Sequence, residues 1–202
     1  LESRFALQGA GTSLPGAVDE QTGCIGGASA VPCIHGFDIR ALLEKALQLP
    51  ITMENDANCA ALGELWLGAA QGCQDVVFMV CGSGIGGAVI KNRQLHHGVH
   101  LHSGEFGYMV LDDSGQILSE AASPVAMARR VAAALDIPEE EMTGEKAFQL
   151  MGQGNPAARR EIHRMYSQLA RAIYNIQYIY DPELIVLGGA ISARSDMLAS
   201  LE

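Results

Sequence analysis

Apolar and polar positions change their period several times along the chain, and each change marks an element. Residues 156–180 carry Ile162, Met165, Leu169, Ile173 and Ile176 at spacings of 3, 4, 4 and 3, which is one stripe of a helix. Asn155 is the expected cap, Pro156 the first helical residue, and Asp181-Pro182 the end. The pattern at 38–48 is also helical, with apolar residues at 39, 42, 43, 46 and 47 and Asp38 as cap. Further helices are predicted over 57–70, starting at Asn55 or Asp56, and over 124–135 and 144–151. The unbroken apolar run 75–81 (DVVFMVC) reads as a central strand buried on both faces. Residues 88–90, followed by the polar turn 91–94, read as the second arm of a hairpin. Strands are expected at 5–13, 51–53 and 184–187, with Leu14-Pro15-Gly16 turning the first. Gly188-Gly189 turn the last strand into another helix, and one more begins near Ser195. Strands interleaved with helices define an α/β class.

Composition narrows the options. Of 202 residues, 49% are apolar and 18% charged, so the chain can bury a sizeable core. Thirteen basic against 23 acidic side chains give a net charge of −10. That balance argues against nucleic acid or an anionic membrane as partner of this segment. No apolar run approaches the roughly 20 residues of a membrane-spanning helix. The five cysteines (Cys24, Cys33, Cys59, Cys73, Cys81) form no CxxC pair, and they read as reduced thiols of a cytoplasmic protein. The chain starts at Leu1, without a signal-peptide pattern, and directly precedes a strand-like run; the expectation is a segment of a longer protein.

Twenty-three glycines direct attention to residues 82–89, GSGIGGAV. Gly82, Gly84 and Gly87 satisfy GxGxxG, but a dinucleotide site needs a helix directly after the glycines, and a strand and turn follow here. The same string fits the protein-kinase GxGxxGxV hairpin, yet no HRD, DFG or VAIK lysine accompanies it. Two readings stay open: glycines that let backbone N–H groups clasp a phosphate, or a tight hairpin needing positive φ. Asp56, in ENDAN (54–58), lies where a strand hands over to a helix. It is either a cap or a base that accepts a proton from a substrate hydroxyl. Glu105, in SGEFG (103–107), is a second carboxylate, flanked by glycines that would admit a polar ligand. His96, His97, His100 and His102 crowd the preceding segment; their spacing matches no standard metal geometry, and a solvated loop is expected.

Taken together, ENDANCAALGE (54–64), GSGIGGAVI (82–90), SGEFGYM (103–109) and DPELIVLGG (181–189) resemble the ROK family, which joins bacterial sugar kinases and sugar-responsive repressors. LPGAVD (14–19) fits the end of the family's early strand, and GEFGYM with TGEK (143–146) is most similar to its zinc-free β-glucoside kinase and glucokinase-like kinases. The resemblance implies an actin-like ATPase (ribonuclease H-like) fold, with sugar and ATP in a cleft between two α/β lobes. Residues 1–54 would be the remainder of an incomplete N-terminal lobe, and 55–202 the C-terminal lobe. The resemblance makes Asp56 the catalytic base for a hexose hydroxyl, O6. It places Asn55, Asp56, Glu105, Tyr108 and Gly16 at the sugar. Gly82, Ser83, Gly84 and Gly86 would form the second phosphate loop, and Gly188 and Gly189 the adenosine loop. ATP with Mg²⁺, and a homodimer, complete the implied picture. Zinc is not expected, because Tyr108 stands where the family has a zinc-binding histidine and no cysteine follows Cys81. Ser119 or Glu120 falls near a further sugar-binding glutamate of the family. The family's first phosphate motif, DxGGT, would lie upstream of Leu1. A repressor of the same family would keep the sugar site and add a DNA-binding head outside this segment.

Overall fold

A computed structural model describes residues 6–27, 29 and 31–201. In chain order the elements are β1 (Ala10–Leu14), β2 (Ala17–Asp19), β3 (Cys24–Gly26), α1 (Ile39–Leu47), β4 (Ile51–Asn55), α2 (Asp56–Leu67), β5 (Val76–Cys81), β6 (Ile85–Lys91) and β7 (Gln94–Leu95). They continue as α3 (Leu118–Ala122), α4 (Pro124–Leu135), α5 (Gly144–Gly152), α6 (Pro156–Tyr180) and β8 (Leu184–Gly188), with short 3-10 turns between. Strands lie in three groups: β1 parallel to β4, β2 antiparallel to β3, and a four-stranded sheet ordered β7-β6-β5-β8.

The apolar run at 75–81 becomes β5, antiparallel to β6 and parallel to β8. Its period of two sorts side chains onto two faces. Val77, Met79 and Cys81 pack with Met127, Val131, Ile162, Met165 and Leu169 of α4 and α6. Val76 and Phe78 pack on the other face with Ala61 and Leu65 of α2 and with Ala88 and Ile90 of β6. Helices thus cover both faces of the strand, which is why it reads as continuously hydrophobic. A smaller core of Val18, Ile25, Ile39 and Met53 joins the β2–β3 hairpin to α1 and β4. Among the described residues no helix is long and apolar enough to cross a membrane.

The long helix has the predicted bounds. The Asn55 and Asn155 side chains each accept from the second and third N–H groups of their helices, α2 and α6. The polar turn after β6 holds Asn92 and Arg93 at φ of 52° and 63°, the paired positive values of a tight hairpin. Several expectations are corrected. The buried stripe of α6 runs through Ala172, which is fully buried, whereas Ile173 is half-exposed. A small residue there lets the helix approach its neighbours closely. The first strand starts at Ala10, because its register with β4 begins at Ala10–Ile51, and Phe5 lies outside the described residues. Helices were expected after Gly189 and from Ser195; the described chain forms 3-10 turns at Ala190–Ala193 and Leu198–Ser200 instead. The sequence pattern also passed over β2, β3 and α3, elements of three, three and five residues, too short to show a period.

Candidate functional site

The C-terminal ends of parallel strands are where α/β sheets collect ligands. Two glycine segments meet at that end of the β5–β8 pair. A Cβ on Gly189, whose φ is 93°, would sit 2.1 Å from the Cys81 carbonyl oxygen, and one on Gly188 would sit 2.7 Å from the Phe78 ring. Only residues without a side chain allow the strand ends to lie this close. The loop that leaves β5 then divides by function. Gly82 and Ser83 are exposed, and among the described residues a Cβ on Gly82 would meet nothing within 4 Å. Neither packing nor turn geometry therefore requires glycine at 82. Gly86, by contrast, pairs with Val80 inside the ladder, and its missing side chain lets Val80 and Ala57 come close. Residues 82 and 83 thus leave backbone open to solvent, whereas the Gly188–Gly189 corner is packed against Phe78 and Cys81.

Ser119, the second residue of α3, pins this loop. Its Oγ accepts from the Ile85 N–H at 3.0 Å and stands 3.2 Å from where a Gly84 Cβ would lie. Of the two candidates for a further sugar contact, Ser119 is thus engaged with loop backbone and Glu120 is exposed. The Cys81 thiol beside the loop is pushed up by burial to about 11, so it stays protonated at neutral pH.

Asp56 lies at the mouth of the helix rather than before it. Asn55 is the cap: its Oδ1 accepts from the Ala57 and Asn58 N–H groups at 2.9 and 3.1 Å. Its Nδ2 donates to the Gly16 carbonyl at 3.1 Å, and Gly16 adopts a φ of 99° beneath Ile25. The Asp56 carboxylate is exposed at the first helical position, where its Oδ1 also accepts from the Ala57 N–H at 2.9 Å.

Glu105 follows a glycine as specialised as Gly189. Gly104 has a φ of 86°, and a Cβ on it would meet Ala88 Cα at 2.7 Å. Gly107 lies against the Ile85 carbonyl, where a Cβ would fall at 2.1 Å. The Glu105 loop is therefore seated directly on β6. The carboxyl itself is half-buried, and burial raises its pKa above the ordinary value; His102 opposes the rise and Asp56 adds to it. That mutual repulsion puts the two carboxylates in one electrostatic neighbourhood.

Glu105 lines a small polar cleft together with Gly16, Asn55, Asn58, His97 and Ser103 among others, and Asp56 follows Asn55 at its edge. A wider groove continues past Glu105 along Ala17, Gly27, His102 and Tyr108, the last 58% exposed. Sequence reasoning missed Asn58, and it read His97 as solvated. The His97 ring is instead 2.7 Å from the Glu54 carboxylate. Among the described residues, no group of three or more His, Cys, Asp or Glu is arranged to hold a metal ion.

The fold defines an actin-like ATPase-type α/β protein, with the Asp56 and Glu105 carboxylates near the glycine-rich β5–β6 hairpin. Residues 2–202 match the ROK family, and the chain belongs to it. A β-glucoside kinase of Listeria monocytogenes is 34% identical over the whole of this chain, which spans 71% of that relative. A solved Listeria monocytogenes protein assigned as an N-acetylmannosamine kinase superposes with a TM-score of 0.90 at 33% identity, covering 99% of this chain and 71% of that one. A Streptococcus pneumoniae ROK protein solved with sucrose gives 0.86 at 40% identity, covering 98% and 68%.

Proposed function

We propose that this chain carries the sugar site and part of the nucleotide site of an ATP-dependent sugar kinase, with Asp56 as general base. The observation that carries the reading is the exposed Asp56 carboxylate at the start of α2, next to Asn55 of a polar cleft that the half-buried Glu105 also lines. A sugar in this cavity meets hydrogen-bonding groups from Asn55, Asn58 and Glu105. Asp56 accepts the proton of the attacking hydroxyl, O6 of a hexose unit, as the oxygen moves onto the γ-phosphate. Phosphoryl transfer asks mainly for positioning and charge stabilisation. Backbone N–H groups at Gly82, Ser83 and Gly84 would supply part of that stabilisation, with Gly86 shaping the loop and Gly188 and Gly189 bordering the nucleoside. Mg²⁺ bound with ATP neutralises phosphate charge.

The groove along Tyr108 supports a substrate larger than one ring, and the β-glucoside kinase relatives point the same way. We divide the chain between Glu54 and Asn55 into two lobes, because α2 packs on the β5–β6 face while β4 packs on α1 and the β2–β3 hairpin. The deciding experiment offers glucose, fructose, mannose, N-acetylmannosamine and cellobiose to the full-length protein with ATP and Mg²⁺, and locates phosphate in any product by NMR. Transfer to O6 of a glucose unit is expected. ATP-independent binding of sugars with no turnover of any of them would overturn the reading.

A further inference from the structure

Glu54 and His97 contact each other across 43 residues of sequence, and neither has a part in the reaction proposed above. Glu54 is the fourth residue of β4, two before Asp56. One of its oxygens accepts from the Asn55 backbone N–H at 2.8 Å and from the Asn58 side-chain amide at 2.9 Å. The other faces His97 Nε2 at 2.7 Å. His97 reaches in the opposite direction through its backbone, whose carbonyl accepts the Ser103 N–H at 3.2 Å. Ser103 lies two residues before Glu105. One residue, His97, therefore links the segment that carries Asp56, through its ring, to the segment that carries Glu105, through its backbone carbonyl.

The two segments otherwise belong to different sheets. β4 pairs with β1, and the Glu105 loop rests on β6. No strand ladder joins the two segments, although α2 packs on β6 and so fixes the Asp56 end against the strand that seats Glu105. The pair is partly shielded, with side-chain exposures of 40% for His97 and 23% for Glu54. His97, Glu54, Asn55, Asn58, Ser103 and Glu105 all line the same cavity.

We propose that His97 is a positioning residue: clasped by Glu54, it sets the width of the sugar cavity by tying the 97–105 loop to the strand that leads into Asp56. The inference rests on the sugar-kinase reading for its kinetic consequences, but not for its structural one. An imidazole N–H donates to the carboxylate whether the ring is neutral or protonated, so the clasp needs a donor at this position more than a charge.

The test has two independent arms. Hydrogen exchange on the sugar-free full-length protein compares wild type with His97→Ala. Exchange over 97–105 should accelerate by about tenfold, while β5 and β6 stay unchanged, since a part-buried charge-assisted hydrogen bond is worth roughly 1.4 kcal/mol. The kinetic arm measures KM for sugar and for ATP. In His97→Ala the sugar KM should rise about fivefold with the ATP KM within about twofold, discounting the bond for its exposure. His97→Gln, which keeps an N–H donor, should recover most of the loss. Adding Glu54→Gln to His97→Ala should cost less than about twofold more, because residues sharing one bond are not additive. Unchanged exchange over 97–105, or fully additive effects of the two substitutions, would overturn the clasp. Altered exchange in a protein that phosphorylates no sugar would keep the clasp and sink the kinase reading instead.

Discussion

Asp56 and Glu105 are carboxylates close enough for the charge of one to act on the other, yet the chain holds them by opposite means. Asp56 is presented by regular structure: a strand end, a capping Asn55 and the first turn of α2. Its position follows from hydrogen bonds that span at most three residues. Glu105 is presented by an irregular loop with glycines at 104 and 107, pressed onto the backbone of β6. The first arrangement leaves its carboxylate exposed. The second half-buries its carboxyl and raises its pKa. A base for a hydroxyl proton benefits from access; a group that orients hydroxyls benefits from desolvation, which strengthens each contact. The difference teaches that the structure around each carboxylate, rather than residue type, sets the surroundings it offers a ligand.

The comparison breaks most sharply at Asp56. Asp56→Asn should lower kcat by about 10² to 10⁴, the range for loss of a general base, while calorimetry shows sugar affinity within a few-fold of wild type. A kcat within a few-fold of wild type would leave Asp56 only a favourable charge at a helix start. Next comes the seat of Glu105. Gly104→Ala forces a side chain into a φ of 86° and against Ala88 Cα at 2.7 Å. Strain of roughly 2 kcal/mol should lower the melting temperature by about 4–8 °C. Gly82→Ala is the control: it meets no described neighbour, so its melting temperature should hold while the ATP KM rises.

Glu105→Gln tests the burial argument twice. Losing about 1.4 kcal/mol of charge-assisted contact should raise the sugar KM roughly tenfold with the ATP KM unchanged. The stability effect has the opposite sign. A carboxyl whose folded pKa is raised contributes stability that is complete below its ordinary 4.5 and is lost as pH rises through the raised value. At neutral pH the ionised group therefore costs stability. Unliganded Glu105→Gln should melt above wild type at pH 7, with the gap closing as pH falls toward 4. A variant that melts lower at pH 7 would contradict the burial account. The smallest effect is expected at Ser119. Ser119→Ala leaves the Ile85 N–H without its partner and should cost about 1 kcal/mol. It should weaken ATP binding more than sugar binding; a larger loss for sugar would make Ser119 a sugar contact.

Much of the site was legible because its causes are local. The Asn155 cap, the bounds of α6, the hairpin turn at 92–93 and the apolar run of β5 each follow from residues within one or two turns of one another. ENDAN, the glycine strings and Glu105 together led to the ROK family, and the family match bears that out. Local pattern also left Asn55 and Asp56 as equal candidates for the cap. Geometry separates them, since only the Asn55 side chain reaches both free N–H groups of α2.

What the chain alone determines, then, is the set of elements whose hydrogen bonds close within about four residues, and the chemistry of the side chains at their ends. Tertiary structure decided everything that depends on which distant segments touch. Ala172 rather than Ile173 is buried because of what α6 packs against. The hydroxyl of Ser119 meets the loop 34 residues earlier. His97 is held by Glu54 across 43 residues, and the Gly188–Gly189 corner after β8 closes on Cys81 and Phe78 of β5. The physical reason is range. A capping bond is written in the spacing of its own residues, whereas the partner of a ring or hydroxyl is chosen by sheet order and helix packing, which no window of a few residues contains.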